Sequence, residues 1–483
     1  MADQNDAGER ELLRRMERRF LEAILHLPDL LDPLEVDRIR YALGLASLHT
    51  FQPGAAVHGR HRHRPAVEIA AGDRHGFRAR LFECLGPALI DEGTPTQVVR
   101  RSRRAIRRLE RDLRSSRRHL LEQNIERFSA AELDAEVGCK ALVVAAGGGG
   151  GAGYVHLGAF SLLEEVGLQP ALIVGTSMGS VIGLFRARER RARIRHDLDW
   201  ARGLEFERIF RFGSGRPHFG LPGLMQLHLV AALGELFRRP DGRLLRLPEL
   251  HIPFLTVVAG IRRDMLRGTP DEWARRNGMV PQTRPGFLGR TLQFGRAITS
   301  LVPFLQPGVA RRIVIGADDL TRHFVAIDAA GFSSAVPGIL HYDVARQDEP
   351  MTDLLKALLQ REGVAALADG GLVENVPVDT ARHAVEQGHI GTRNAFVLGL
   401  DCFHPMWAPR QAWLWPLTRL VQVQTDAIAH HADLTVSYSE APSPLDLLPD
   451  GDQLDRALET GSRDLEQEIG LVRLACSSFH WTD

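Results

Sequence analysis

The chain has 483 residues, which is longer than a typical single domain, so it can bury a large core and carry additional modules. Hydrophobic residues make up 44% and charged residues 25% of the sequence, and basic and acidic residues balance at 60 each. This composition excludes a disordered or fibrous protein. The balanced charge also excludes a chain-wide electrostatic affinity for nucleic acid or for an anionic membrane.

The cysteines and the absence of long apolar runs indicate where the protein is found. Four scattered cysteines show neither the spacing of a zinc site nor that of a disulfide framework, which favours a reducing compartment. The first residues contain no apolar stretch of signal-peptide length, and no run of about 18 apolar residues occurs. We therefore expect a cytoplasmic protein whose contact with a membrane is at most peripheral.

Residues 1–137 are expected to form a helical, Arg-rich module. Within it, the segment from Val99 to Leu120 carries ten arginines, while apolar residues recur every three or four positions. This pattern predicts a long amphipathic helix. Two interpretations remain open: a surface for an anionic membrane or an acidic partner, and a solvated helix whose apolar stripe packs on the rest of the protein.

From residue 138 the pattern changes to short apolar runs that alternate with helical stretches. Such alternation predicts an α/β fold with a central, mostly parallel sheet and helices on both faces. We place this domain at 138–405 and a helical tail at 406–483. The predicted strands are short apolar runs that begin at Ala141, Ala171, Phe254, His323 and Ala395.

The second apolar run ends in the motif Gly175-Thr-Ser177-Met-Gly179, and a helical segment follows at once. This strand, turn and helix are the context of a nucleophile elbow, which makes Ser177 the candidate nucleophile. The two glycines are expected because the tight turn leaves no room for a side chain. The helix dipole would favour an alkoxide on Ser177. In a chain with 46 glycines the motif alone also fits a chance match, so its context decides.

A run of glycines, Gly147 to Gly151, follows the first predicted strand and is closed by Ala152 and Gly153. Consecutive glycines at a helix N-terminus expose backbone N–H groups that bind an anion. A dinucleotide site would need an acidic residue at the end of the second strand, where this sequence has the serine turn. An oxyanion hole, worth about 3 kcal/mol per donor, is therefore favoured.

The third element is Asp369-Gly370-Gly371, a carboxylate followed by two glycines. The turn allows a close approach to another backbone, so Asp369 could act as general base toward Ser177 if the fold brings them within reach. An isolated Asp-Gly-Gly also fits an aspartate that only caps its own loop.

Together the three elements resemble the patatin-like phospholipase family over about residues 139–405. The resemblance implies that Ser177 is the nucleophile and Asp369 its partner in a catalytic dyad. Gly153, which closes the glycine-rich motif, and the glycines of the other two motifs support the match. The resemblance assigns the oxyanion hole to three glycines: Gly148, Gly149 and Gly150.

Two further segments extend the resemblance. Phe332–Gly338 is similar to the family's A-S-x-A-x-P segment, and Asn375 and Pro377 stand where D-G-G-x-x-x-N-x-P expects them. One position departs from the family pattern, because Ala152 replaces the usual Arg or Lys before the last glycine of the oxyanion motif. The lost cation puts the headgroup preference in doubt.

The resemblance implies a serine lipid acyl hydrolase of the phospholipase A or lipase type that requires no metal or organic cofactor. It would cleave fatty acyl esters of phospholipids or glycerides through an acyl-enzyme, and no nucleic-acid partner is expected. The segment 285–305 is a candidate lid or an ordinary helix pair. Trp407, Trp413 and Trp415 are expected either at a membrane interface or in the core of the tail.

Two other hypotheses remain open. A Ser–His–Asp esterase of the α/β-hydrolase type would need a histidine after Asp369, and His383, His389 and His404 are available. A catalytically degenerate patatin-like binding protein would fit the Arg-rich module and the missing cation at Ala152.

Overall fold

A computed structural model describes most of the chain. The described ranges are 2–54, 65–191, 202–212, 217–264, 308–344, 346–405 and 415–482, with the single positions 194, 198, 199, 272 and 304. The candidate lid at 285–305, except Phe304, lies outside the described residues, as do Trp407 and Trp413.

The amino-terminal region is helical, with one short two-stranded ladder. Its elements are α1 (Ala2–His26), α2 (Pro33–Ser47), β1 (Thr50–Phe51), β2 (Val67–Glu68), α3 (Ala71–Leu89), α4 (Pro95–Gln123) and α5 (Ala130–Gly138). The predicted amphipathic helix is confirmed as α4, which begins with a capping box between Thr94 and Gln97. Its apolar stripe, including Leu109 and Leu113, is buried, which supports packing on the protein body.

A mostly parallel, seven-stranded sheet forms the centre of the region that begins at residue 138, as predicted. Its strands are β3 (Ala141–Ala146), β4 (Leu172–Thr176), β7 (Phe254–Arg262), β8 (Ala310–Ile315), β10 (Val364–Asp369), β11 (Ala395–Asp401) and β12 (Leu434–Ser437). A second, three-stranded sheet contains β5 (Phe210–Phe212), β6 (Gly223–Leu227) and β9 (Gly338–His341). In the main sheet β4, β3, β11 and β12 run parallel to one another and β4 runs parallel to β7, whereas β8 and β10 run antiparallel to β7.

Helices cover both faces of the main sheet. The α-helices that follow β3 in the described part of the chain are α6 (Val155–Glu165), α7 (Met178–Arg188), α8 (Phe206–Ile209), α9 (Leu229–Leu233), α10 (Ala326–Ser333), α11 (Glu349–Glu362), α12 (Val378–Gln387), α13 (Trp415–Ile428), α14 (Gly451–Glu466) and α15 (Ile469–Cys476). Successive strand residues point to opposite faces. Val144 accordingly packs in the same cluster as Phe160 of α6, whereas Val143 packs in the cluster that contains Ala381 of α12.

The amino-terminal helices lie against the amino ends of the strands. Lys140, which precedes β3, binds Glu17 of α1 at 2.5 Å. Arg18 of α1 donates to the carbonyl of Asp433, which precedes β12, at 3.1 Å. The carboxyl ends of the parallel strands, where Ser177 follows β4, therefore lie on the side of the sheet opposite to these helices.

One predicted strand is wrong. The apolar run that begins at His323 enters α10 at Ala326, and only Val325 makes an isolated bridge. A short apolar run cannot be distinguished from a buried helix by periodicity alone. The predicted strands also did not include β8, β10 or β12, and β12 extends the sheet from within the predicted helical tail by pairing with β11.

Candidate active site

Ser177 occupies a sharp turn between β4 and α7. Its backbone has φ 52° and ψ −126°, and it is the only non-glycine residue with positive φ in the described part of the chain. Such a conformation costs about 1–3 kcal/mol and persists only where the surroundings impose it. A Cβ at Gly179 would lie 2.1 Å from the carbonyl oxygen of Ala146, which confirms that the turn has no room for a side chain.

Buried hydroxyl groups hold this strained turn. The backbone N–H of Ser177 donates to Oγ of Ser333 at 2.9 Å, and Ser333 in turn donates to the carbonyl of Val257 at 2.6 Å. Oγ of Ser180 lies 3.0 Å from Oγ of Ser333. Ser333 belongs to the segment Phe332–Gly338 that the sequence singled out, and its position gives that segment a structural role. Because the N–H of Ser177 is already bonded, it is not available to an oxyanion.

Strand β7 brings Ser177 and Asp369 together. Thr176, the last residue of β4, pairs with Val257, and Asp369, the last residue of β10, pairs with the next residue, Val258. Since β8 occupies the other edge of β7, β4 and β10 share one edge and run toward each other along it. The two strands therefore end head to head, with the nucleophile candidate and the carboxylate at the junction.

The carboxylate of Asp369 is buried and only partly satisfied. Its Oδ1 accepts from the N–H of Gly371 at 2.7 Å, so this oxygen caps the loop, as one interpretation of the sequence expected. Oδ2 is buried without a partner of strict hydrogen-bond geometry among the described residues. Burial raises the pKa of Asp369 to about 6, and the nearby hydroxyl of Ser177 and the N–H of Gly371 lower it only in part. The contact with Ser177 is a near approach that substrate binding can tighten.

The amides of the glycine-rich loop differ in their availability. The N–H of Gly148 donates to the carbonyl of Asn375 at 3.1 Å, and the N–H of Gly151 donates to the carbonyl of Pro444 at 3.1 Å. For the N–H groups of Gly149 and Gly150, the described residues provide no hydrogen-bond acceptor. The prediction of three donors is thus corrected at Gly148, whose amide anchors the loop.

Two residues beneath this loop carried no signal in the sequence. Nε2 of His156 lies 2.8 Å from the carbonyl oxygen of Gly147, and burial lowers the pKa of this histidine to about 4. The ring is therefore neutral near pH 7 and Nε2 carries the proton that it donates. The thiol of Cys402 donates to the carbonyl of Gly148 at 3.3 Å. His156 lies only nine residues after Gly147 but belongs to none of the motifs, whereas Cys402 reaches the loop only through the fold.

Ser177 and Asp369 open into one cavity of about 220 Å³. Its walls come from α7, α9, α13, β6, β9 and the loop that follows β12, and they are overwhelmingly apolar. Gly149 and Gly150 line the same cavity, whereas Gly148 does not. The region after residue 405 contributes five lining residues that no sequence motif indicated: Leu417, Val421, Pro444, Leu445 and Leu447.

Of the other residues singled out in the sequence, the glycines after Asp369 lie at the site, whereas the three candidate histidines do not line the cavity. Gly370 and Gly371 form the turn after Asp369, and Ala152 is fully buried, so a longer basic side chain would have to displace its neighbours. None of the three histidines considered for a triad lines the cavity: His383, His389 and His404. His383 instead pairs with Asp379 at 2.8 Å, which raises the pKa of the histidine to about 9.

Comparison with known proteins identifies the family to which the region around this site is similar. Residues 144–382 match the family model of patatin-like phospholipases, and no curated protein sequence matched the chain. The match defines the class of the protein as a lipid acyl hydrolase, which is a carboxylic ester hydrolase. Residues 144–382 form a patatin-like phospholipase domain, as the resemblance of the motifs predicted.

The matched region begins within β3 and ends within α12. It therefore includes Ser177, Asp369 and the glycine-rich loop, but not β11, β12 or the cavity residues that follow them. Among the described residues, no helix has both the length and the apolar composition needed to cross a membrane.

Proposed function

We propose that the protein cleaves fatty acyl esters of phospholipids or glycerides, with Ser177 as nucleophile and Asp369 as general base. The observation that carries this proposal is the head-to-head meeting of β4 and β10 on one edge of β7, which brings the two side chains to the same apolar cavity. The class of substrate rests on that apolar lining and on the family.

The reaction is acyl transfer in two steps. Oγ of Ser177 attacks the ester carbonyl while Asp369 accepts its proton, and the protonated Asp369 then donates to the departing alcohol. Water attacks the acyl-enzyme by the same route and releases the fatty acid. A carboxylate with a pKa of about 6 is ionised at neutral pH and is a stronger base than an ordinary aspartate, which suits a dyad without histidine.

The oxyanion is stabilised by the N–H groups of Gly149 and Gly150. Both line the cavity with Ser177, and neither is bonded to an acceptor in the described part of the chain. The N–H of Gly148 is excluded because it bonds to Asn375. Each oxyanion donor contributes about 3 kcal/mol to stabilisation of the transition state, so two donors supply much of the catalysis that a weak base cannot.

We propose the same division into regions as the sequence indicates. Residues 138–405 form most of the catalytic domain, 1–137 form an amino-terminal module, and 406–483 form a tail that adds β12 to the sheet and completes the cavity. The substrate's acyl chain lies in the apolar cavity, and its headgroup stays outside. The protein meets the membrane or lipid droplet peripherally, since the ester must leave that surface to reach Ser177.

The test is lipid hydrolysis on mixed vesicles, combined with labelling by a fluorophosphonate probe. Wild type should release fatty acid and be labelled, whereas Ser177→Ala should do neither. The matched control is Ser462→Ala, because the Ser462 hydroxyl donates to the carbonyl of Gly158 outside the cavity. A folded wild type that neither hydrolyses lipid nor reacts with the probe would instead indicate a degenerate binding protein.

A further inference from the structure

Asn375 forms hydrogen bonds to the glycine-rich loop through both its side chain and its backbone. Its Nδ2 donates to the carbonyl oxygen of Gly148 at 3.3 Å, and its own carbonyl accepts from the N–H of Gly148 at 3.1 Å. The thiol of Cys402 donates to the same carbonyl of Gly148 at 3.3 Å. Asn375 and Cys402 are both buried, so water competes little for these bonds.

The direction of one carbonyl sets the direction of the next amide. In a trans peptide the C=O of one residue and the N–H of the following residue point in opposite directions. Since the carbonyl of Gly148 is held by Asn375 and Cys402, the N–H of Gly149 must point away from both donors. Gly149 lines the cavity that contains Ser177, and its N–H has no acceptor among the described residues, so this amide is available to a bound ester.

A glycine-rich loop needs such an anchor. Glycine peptides rotate with little steric resistance, and five consecutive glycines would otherwise sample many orientations. A Cβ at Gly148 would lie 2.8 Å from Cβ of Ser177 and 3.0 Å from Oδ1 of Asn375, so no side chain can brace the loop from within. The bracing must come from outside the loop, where Asn375 provides it.

We infer that Asn375 is a positioning residue for the oxyanion hole. It fixes the Gly148–Gly149 peptide so that the N–H of Gly149 faces the reacting carbonyl, and Cys402 assists it. The inference rests on the proposed function of Ser177 and Gly149. Asn375 thereby joins the aspartate loop to the glycine-rich loop, and the two catalytic motifs become one rigid unit.

The variant Asn375→Ala removes the side-chain donor and leaves Gly148 held by Cys402 and the backbone. We expect kcat to fall about 10- to 100-fold with KM little changed, since the loss of a full oxyanion donor costs about 10²- to 10³-fold. Cys402→Ala should have a smaller effect, because a thiol is a weak donor. Asn375→Leu, which keeps the volume without the donor, is the second variant if Asn375→Ala does not fold.

The discriminating measurement uses two inhibitors with the same fatty chain. A trifluoromethyl ketone forms a hemiketal with the serine and places an oxyanion in the hole, whereas the corresponding secondary alcohol binds without one. In Asn375→Ala the inhibition constant of the ketone should rise by the same factor as kcat/KM falls, and that of the alcohol should stay the same. A purely structural role would weaken both inhibitors or neither.

The matched control is Asn394→Ala. Nδ2 of Asn394 donates to the carbonyls of Glu136 at 2.9 Å and Val137 at 3.0 Å, which is the same chemistry at the amino end of β11. Its kinetics and both inhibition constants should remain near those of wild type.

The outcomes separate this inference from the proposed function. If a folded Asn375→Ala or Asn375→Leu binds the ketone as tightly as wild type does, the positioning role is overturned while the dyad stands. If the ketone does not inhibit wild type, or Ser177→Ala still hydrolyses the ester, the proposed function is overturned first.

Discussion

Two buried aspartates at opposite ends of the sheet show opposite pKa shifts. Asp433, at the amino end of β12, is also buried, but its partners Arg382, Lys140 and Arg14 more than offset the effect of burial, so its pKa lies below the ordinary value. Asp369, at the carboxyl end of β10, has only two uncharged donors nearby, the hydroxyl of Ser177 and the N–H of Gly371. Burial therefore raises its pKa to about 6. Burial alone therefore does not identify a reactive carboxylate. The structural aspartate, Asp433, differs from the candidate base, Asp369, because basic side chains surround only Asp433.

The largest expected effect comes from Asp369→Asn. Removal of the general base should lower kcat about 10³- to 10⁴-fold on a soluble ester. The same change removes a poorly compensated buried charge, so the free energy of unfolding at pH 8 should rise by up to about 3 kcal/mol. Ester hydrolysis and urea unfolding measure the two effects. If Asp369→Asn kept the activity of wild type, or if it unfolded more easily than wild type, the difference between Asp369 and Asp433 would not hold.

The pH dependence of activity should report the same carboxylate. Asp369 accepts a proton only when ionised, so kcat/KM should fall about tenfold per pH unit below its pKa, which lies at about 6. The stability linkage has the matching sign, because the folded pKa exceeds the unfolded value. The excess stability of Asp369→Asn should therefore be present above about pH 6 and disappear toward pH 4. A flat activity profile between pH 5 and pH 8 would exclude Asp369 as the base.

The opposite result is expected for Asp433→Asn. The carboxylate of Asp433 binds Arg382 at 2.6 Å and accepts from the N–H of Val397 at 2.7 Å. Removal of one partner of a buried pair costs about 3–5 kcal/mol, because the other charge stays uncompensated. Urea unfolding should show that loss, while the folded fraction keeps a normal kcat. A reduced kcat with unchanged stability would reverse the roles of the two aspartates.

The smallest expected effect concerns the support of the nucleophile. Ser333→Ala leaves the N–H of Ser177 without its acceptor and the carbonyl of Val257 without its donor, so stability should fall by about 1–3 kcal/mol. A slight displacement of the serine should also lower kcat about 10- to 100-fold. The rate of fluorophosphonate labelling, compared with that of Ser462→Ala, checks this. Labelling at the wild-type rate would show that the turn holds without Ser333.

The catalytic motifs were recognisable in the sequence because each is local. The elbow at Ser177 and the glycine-rich loop each follow a strand directly, and Asp369 is marked by its two glycines. Their chain order carried the family assignment. The direction of β10 was not recognisable, because an apolar run of six residues does not reveal the strand with which it pairs. The meeting of β4 and β10 on one edge of β7 is therefore a result of the three-dimensional structure.

The finer properties of the site depend on contacts between distant segments. The N–H of Gly148 was predicted as an oxyanion donor, but Asn375, more than two hundred residues later, already binds it. The same limit applies to Cys402, which is separated by more than two hundred residues from the Gly148 carbonyl to which it donates. The run at His323 was assigned to a strand because its apolar residues fit a strand and a buried helix equally well.

The loop after β12 has a consequence for how the enzyme can be divided. The carbonyl of Pro444 in this loop accepts from the N–H of Gly151, and Leu445 and Leu447 line one side of the proposed substrate cavity. All three residues lie beyond residue 382, where the family match ends. A fragment cut at that boundary would keep its serine and aspartate yet lose β11, β12 and part of the cavity wall. Its acyl site would lie open to water, and the nucleophile would have a hydrophobic cleft on one side only. The unit expected to carry the proposed activity is therefore longer than the region that matches the family.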